Sequence, residues 1–387
     1  MTGTDLDRTP LSTHRRAVAA AFGAQGLLFI SLTTRLPRFQ DQWGLSELAV
    51  SGLLLMVVLL AGLGSVLAEL GAKRAGSATV LRGALVLAGL GLAVVALAPA
   101  EPVFVAGLAA YGLALGSIDA TTNMQAVALE HRYGRTILPT FHGAWTLGGI
   151  AATLVAIAVS GVGITVGLLP LAALGVLAAA APFLPHDVTP VEPAASGSVP
   201  WRRILLLGAA MVLFYMVDTA ATTWGPVFLR SAHDAPDWLL PLATLPYLVA
   251  SGAFRLGGDA AVARWGPVPL LRAGAVVAAL ALAVIVFSPT WAVAVLGFTV
   301  LGGSVAVIAP LSFSAAAAVA GSGLDPEARR ARVDAVIARF NQFNYVGGLL
   351  GAVLTGAVGA GSLRIGFAVP MVLVLLILPL AGAFRDA

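Results

Sequence analysis

The sequence predicts an all-α integral membrane protein with twelve transmembrane helices in two pseudo-symmetric six-helix bundles. Composition, long uncharged runs and an internal echo carry that prediction. The 387 residues are 59% hydrophobic and only 10% charged, against roughly 25% charged in a soluble domain. Residues 136–186 and 273–324 contain no Asp, Glu, Lys or Arg. Each run has room for two helices of about 20 residues, the length that crosses a hydrocarbon core of about 30 Å. The apolar runs are continuous rather than alternating, which selects helices over a barrel.

The echo is a displaced repeat. Gly62, Glu69, Arg74, Gly76 and Arg82 recur 190 residues later as Gly252, Asp259, Arg264, Gly266 and Arg272. Thr33, Thr34, Pro37 and Phe39 recur 189 residues later as Thr222, Thr223, Pro226 and Phe228. Phe141 with Gly148 and Gly149 returns as Phe340 with Gly347 and Gly348. Two membrane halves in the same order build the rocking type of secondary transporter, whose site lies between them.

Runs bounded by charge, Pro or Gly place six spans at 15–35, 47–70, 77–98, 102–129, 136–159 and 163–184. Six more fall at 203–229, 238–262, 267–287, 290–316, 333–357 and 363–384. The division is a bundle over 1–184, a cytoplasmic linker over 185–201 and a bundle over 202–387. The linker is rich in Pro and Ser and reads as a flexible connector.

Among the 22 Lys and Arg, only Arg35, Arg38, Arg230 and Arg364 fall on the outer side if the N-terminus is cytoplasmic. The positive-inside rule then puts both termini in the cytoplasm. The net charge of +4 is a topology signal, since nucleic-acid binding needs basic residues gathered on one soluble face. The tail before Arg15 has no cleavage signature. There is no cysteine, hence no disulfide or thiolate metal site. No cofactor or metal is expected, and no phosphate loop, GxSxG elbow or HExxH points to an enzyme.

An ionisable side chain at membrane depth is costly and calls for a reason. Asp119, Asn123, Ala126 and Glu130 share one face of the fourth span. A carboxylate in a narrow cavity suits reversible proton uptake; the alternative is a structural Asp fixed by hydroxyls or an interhelical Arg. Asp218 is the second carboxylate, with Tyr215 and Thr222 on its face and Trp224 further outward. It suits a proton or polyol site, or else a hydrogen bond joining two helices, with Trp224 as an interfacial anchor.

In the fifth span, His142 beside Phe141 and Trp145 is either a proton relay or a packed donor. Asn341, Asn344 and Tyr345 form a neutral hydrogen-bonding patch in the eleventh, with interhelical glue as the competing reading. Gln25 is a weaker binding candidate in the first span. Arg35 either snorkels or makes an outer gate with Asp41, Asp234 or Asp237. Glu69 with Arg74 and Asp259 with Arg264 are gating candidates, or simple topology determinants, and Glu130 and Arg135 are further gating candidates.

These residues resemble the major facilitator superfamily, and within it the fucose-permease-like branch of bacterial inner-membrane proteins. The resemblance rests on Arg35-Leu36-Pro37, Asp119 through Asn123 and Gln125 to Glu130, Gly134-Arg135 and Phe141-His142. Asp218 with Trp224, and Arg255 to Asp259 followed by Arg264-Trp265-Gly266, extend it. It implies a central cavity lined by spans 1, 4, 5, 7, 10 and 11. Two departures bear on sugar specificity and symport: Gln25 stands where fucose-type symporters carry an acid, and Glu69 to Arg74 replaces the usual Asp-Arg loop.

The expected function is proton-coupled transport of a small polar solute, with Asp119, Asp218 and His142 as proton candidates. Gln25, Asn123, Trp145, Tyr215, Trp224, Asn341, Asn344 and Tyr345 are the candidate solute contacts. Efflux of an amphipathic compound by proton antiport, motivated by Trp145 and Trp224, and a non-transporting membrane sensor are the alternatives. Partners are the solute, protons and the bilayer, without nucleic acid, and the chain is expected to be a monomer.

Overall fold

The computed structural model describes residues 10–133, 137–185, 199–323, 332–333, 336–337, 339–340 and 342–385, of which 131, 138, 139 and 256–260 enter as backbone only. All regular structure among them is helical. Each of the twelve expected spans overlaps helix among the described residues; 163–184 is α-helical only over Ile164–Ala178, and 333–357 is described in full only from Gln342 onward. Among the described residues nine helical stretches are long and apolar enough to cross a membrane.

In the first half α1 (Leu11–Thr33), α2 (Leu36–Trp43), α3 (Glu47–Ala75) and α4 (Ser77–Leu97) are followed by α5 (Glu101–Tyr133), α6 (Leu138–Ala158) and α7 (Ile164–Ala178). The second half has α8 (Trp201–His233), α9 (Leu245–Trp265), α10 (Pro267–Val286), α11 (Trp291–Val305) and α12 (Ile308–Gly321). It closes with α13 (Gln342–Leu349), a π-helical stretch Leu350–Leu354, α14 (Thr355–Val358), α15 (Leu363–Leu373) and short turns to Phe384. At 33 residues each, α5 and α8 are about 50 Å long and outreach a bilayer core.

Several spans are less regular than the sequence suggests. The first stops at Thr33, and Leu36–Trp43 forms a separate helix after it. The tenth breaks between Val305 and Ile308, two residues before Pro310. The twelfth stays α-helical past Pro370 to Leu373 and then turns 3-10 on either side of Ile377–Leu380, where Pro379 removes a backbone donor.

By contact the chain groups into one unit of Met1–Arg35 and Met56–Thr189, and another of Leu36–Leu55 and Pro190–Ala387. The grouping differs from the sequence division in one segment. Residues 36–55 pack with α8 through α2 and through ion pairs described below.

Each unit repeats the same local devices. Gly76 at φ 81° starts α4 and Gly266 at φ 79° starts α10. Only glycine takes such angles without strain, which explains its recurrence there. His14 Nδ1 lies 2.7 Å from Pro182 O, and Arg203 Nε donates to Ala383 O at 2.9 Å, so each bundle ties its first helix to the end of its sixth span. Arg82 donates to Ala181 O and Arg272 to Leu378 O in the same relation.

Helices do not gain hydrophobic energy by associating in lipid, so close backbone approach has to hold them. A Cβ on Gly116 would stand 1.8 Å from Ala61 O, and one on Gly148 2.0 Å from Gly23 O. The second unit adds an edge-to-face aromatic cluster of Phe228, Phe298 and Phe367 with centroids 5.3–6.2 Å apart. Outside the packing faces, Leu59, Leu63, Leu67 and Leu70 of α3 are exposed, a surface that only hydrocarbon would solvate.

Gln125 shows a polar residue spent on structure. Its amide donates to Ser77 Oγ at 2.8 Å and Leu184 O at 3.2 Å, and its Oε1 accepts from Leu184 N at 2.9 Å. Replacing it with Ala strands the buried Leu184 N–H. The expected loss is about 2–3 kcal/mol of stability, read as a lower unfolding midpoint in denaturant titration of the purified protein.

Candidate functional site

The second unit holds the tightest polar contact at mid-helix. Asp218 lies half-buried near the centre of α8, surrounded by apolar sequence. The buried Tyr247 of α9 donates its phenol O–H to Asp218 Oδ1 at 2.6 Å. Arg255, two turns further along α9, acts on the same carboxylate electrostatically and donates to Ala306 O at 3.3 Å. A carboxylate with one charge-assisted donor and partial exposure keeps lone pairs for a proton or a solute hydroxyl.

On the same stretch of α8, Tyr215 sits one turn before Asp218 and meets Phe214 edge-on at 4.9 Å. There α13 and the π-helical stretch after it approach closely: a Cβ on Gly347 would lie 2.6 Å from Tyr215 Cβ, and one on Gly351 2.9 Å from Thr219 Cβ. The structure thus brings Tyr215 beside the helix that carries the half-buried Asn344 and Tyr345. Asn341 lies outside the described residues.

In the first unit α1 is the common neighbour. Gln25, buried on α1, donates to Asp119 Oδ1 on α5 at 3.3 Å. Asn123 spends its amide on the main-chain carbonyl of Asp119 at 2.8 Å, one turn back. On the α6 side Phe22 stacks on Phe141 at 5.7 Å and meets His142 edge-on at 5.4 Å, while Phe29 lies 6.2 Å from Trp145. Asp119, His142 and Trp145 therefore meet residues of α1, Gln25 among them, which linear spacing alone does not reveal.

Other candidates have structural employment in this conformation. Trp224 is completely buried and donates Nε1–H to Ala352 O at 2.7 Å. Ala352 belongs to the π-helical stretch, where the altered register frees carbonyls. Trp224 therefore sits neither at an interface with water nor beside an open cavity. Glu130 accepts from Ile137 N at 2.9 Å and fixes the start of α6. Arg35 is buried, with Nη1 on Ser31 O at 2.9 Å and Nη2 on Gly167 O at 3.3 Å, so it does not snorkel.

Two of the three carboxylates expected to gate with Arg35, Asp41 and Asp237, engage other arginines. Arg38 Nε pairs with Asp237 Oδ2 at 3.1 Å, Arg230 bridges to the other Asp237 oxygen, and Arg230 Nη1 pairs with Asp41 Oδ2 at 2.7 Å. This network joins α2 to the end of α8. Its members are part-exposed, so each pair contributes well under 1 kcal/mol singly and gains from being a network. On the opposite helix ends, Glu69 pairs with the exposed Lys73 at 2.8 Å, one turn on, and Arg264 lies over the Trp265 ring at 5.3 Å. Arg74 is exposed; Arg135 and the Asp259 side chain lie outside the described residues.

The signal for Tyr247 was available in sequence as a single tyrosine at the start of an apolar span, but nothing there tied it to Asp218. Arg38 and Arg230 were visible as outer-side charges without an indication of partners.

Comparison with solved structures decides the fold. Nucleoside transporter NupG superposes with a TM-score of 0.73 over 96% of this chain and all of that one, at 15% identity. The Escherichia coli fucose:proton symporter FucP gives 0.59 over 96% of this chain and 98% of that one, at 16% identity. The chain has the major facilitator fold. Its curated relatives agree in kind with major facilitator proteins. An uncharacterised transporter of Sinorhizobium fredii, y4wD, is 27% identical over 80% of this chain and 83% of its own length. An uncharacterised transporter of the major facilitator type from Yersinia pestis is 27% identical over 76% of this chain and 78% of its own. No family model matches the chain. The protein is thus a multi-pass membrane protein of major facilitator fold, and both of these relatives are named as transporters.

Proposed function

We propose that this protein is a proton-coupled secondary active transporter of a small polar organic solute, sugar- or polyol-like, working by alternating access. It acts as a monomer in a bacterial-type plasma membrane with both termini cytoplasmic, as the distribution of Lys and Arg suggests. One observation carries the proposal. Each unit holds one half-buried carboxylate at mid-helix, hydrogen-bonded from a neighbouring helix: Asp119 from Gln25 and Asp218 from Tyr247. Ionisable groups at such depth mark ion and substrate pathways.

The fold neighbours support the same class, since one is a nucleoside transporter and another a fucose:proton symporter. The amphipathic-efflux reading loses part of its motivation with Trp224 withdrawn into packing. The first test is ligand-induced thermal stabilisation of the purified protein across sugars, polyols, nucleosides, organic acids and drugs at two pH values. A polar solute is expected to stabilise selectively and to a pH-dependent degree. Stabilisation only by amphipathic compounds would overturn the solute class.

A further inference from the structure

We infer that Tyr247 is the positioning residue for proton exchange at Asp218, a role that rests on the proton-coupled reading above. The bond between them spans two helices, from the buried phenol of α9 to the central carboxylate of α8. A phenol both donates and accepts. While Asp218 is charged, Tyr247 donates to Oδ1 and replaces part of the hydration that the carboxylate gives up. When hydronium gives up a proton to Oδ2 and leaves as water, an O–H bond forms there and the charge of Asp218 goes from −1 to 0. With the proton on Oδ2, Oδ1 becomes the carbonyl oxygen and goes on accepting from the Tyr247 O–H, which keeps its partner. One side chain therefore serves both protonation states without repacking.

Tyr247 supplies the described hydrogen bond to the Asp218 carboxylate from another helix. On α8, Tyr215 lies a turn away, and Arg230 is engaged with Asp41 and Asp237 at the helix end. From α9, Arg255 acts on Asp218 through its charge and donates its hydrogen bond to Ala306 O. Of the elements packed on α8, α11 and α12 carry no titratable side chain, α13 carries Tyr345, α15 carries Arg364, and α2 carries Arg38 and Asp41. Arg364 is spent on Val286 O and Ser288 O, and the α2 pair on the ion-pair network.

The test is infrared difference spectroscopy of the full chain in liposomes, acid minus neutral, and requires no knowledge of the solute. A protonated carboxyl C=O band that disappears in Asp218→Asn belongs to Asp218. With ring-labelled tyrosine, the wild-type difference is expected to contain a tyrosine signal that Asp218→Asn also removes. In Tyr247→Phe the carboxyl band is expected to persist at higher frequency, because the acid has lost its hydrogen-bond partner. A merely structural tyrosine would leave that frequency where it was. A carboxyl band without a linked tyrosine signal, or an unshifted band in Tyr247→Phe, overturns the positioning role while Asp218 remains a proton site. If Asp218→Asn removes no carboxyl band, Asp218 takes up no proton, and its coupling role falls together with this inference. The label experiment keeps Tyr247 intact, so the outcome does not depend on the Phe variant folding.

Discussion

Asp218→Asn is expected to abolish proton-driven accumulation of the solute while solute exchange continues. For one proton per solute, a gradient of one pH unit supports about a tenfold accumulation, the ratio that corresponds to about 1.4 kcal/mol. An amide neither binds nor releases a proton in this range, so the ratio should collapse to about one. It remains a hydrogen-bonding group of the same shape, and Tyr247 can still donate to its carbonyl oxygen. Binding and the conformational cycle are therefore retained, and counterflow of labelled against unlabelled solute should persist. Accumulation and counterflow measured on the same proteoliposomes separate the two activities. Full accumulation in Asp218→Asn would transfer the coupling role to Asp119, whose partner Gln25 stands at a longer 3.3 Å. The parallel measurement on Asp119→Asn makes that assignment.

Gly116→Ala is expected to be the most damaging single methyl in the first unit. The added carbon would stand 1.8 Å from Ala61 O and 2.4 Å from Ala61 C. No flexible side-chain end is available to yield, because the obstacle is the backbone of α3. One of the two helices must move, at a cost of about 3 kcal/mol. The result should be a fall in the thermal unfolding midpoint or loss of monodisperse protein in detergent. Gly62→Ala on α3 is the matched control. It has the same chemistry and lies in the repeated sequence signature, but its Cβ would meet nothing within 4 Å. Equal damage from both substitutions would argue for a general loss of backbone freedom instead of a steric contact.

Particular residues show how far the sequence reaches. Asp119 and Asp218 stood out because a charge in the middle of an apolar run is improbable without a task, and both occupy mid-helix positions with a partner on another helix. Gly76 and Gly266 recurred because both turns require positive φ. By contrast, the sequence could not say that Gln125 clamps Leu184 or that Trp224 reaches Ala352. It named Arg35 for an outer gate, whereas the described ion pairs to Asp41 and Asp237 come from Arg38 and Arg230.

What the sequence determined by itself was the number and order of the spans, their internal repeat and the helices on which the carboxylates lie. These follow from local facts: the absence of charge over the length that crosses a bilayer, and turn residues where a run stops. The tertiary structure alone decided which side chain meets which. A helix in lipid that is apolar all round has no amphipathic stripe to fix its rotation. Its azimuth is set by where neighbouring backbones can approach, as at Gly116 and Gly148. Tyr247 therefore becomes the partner of Asp218 only when α8 and α9 have taken their places in the second unit.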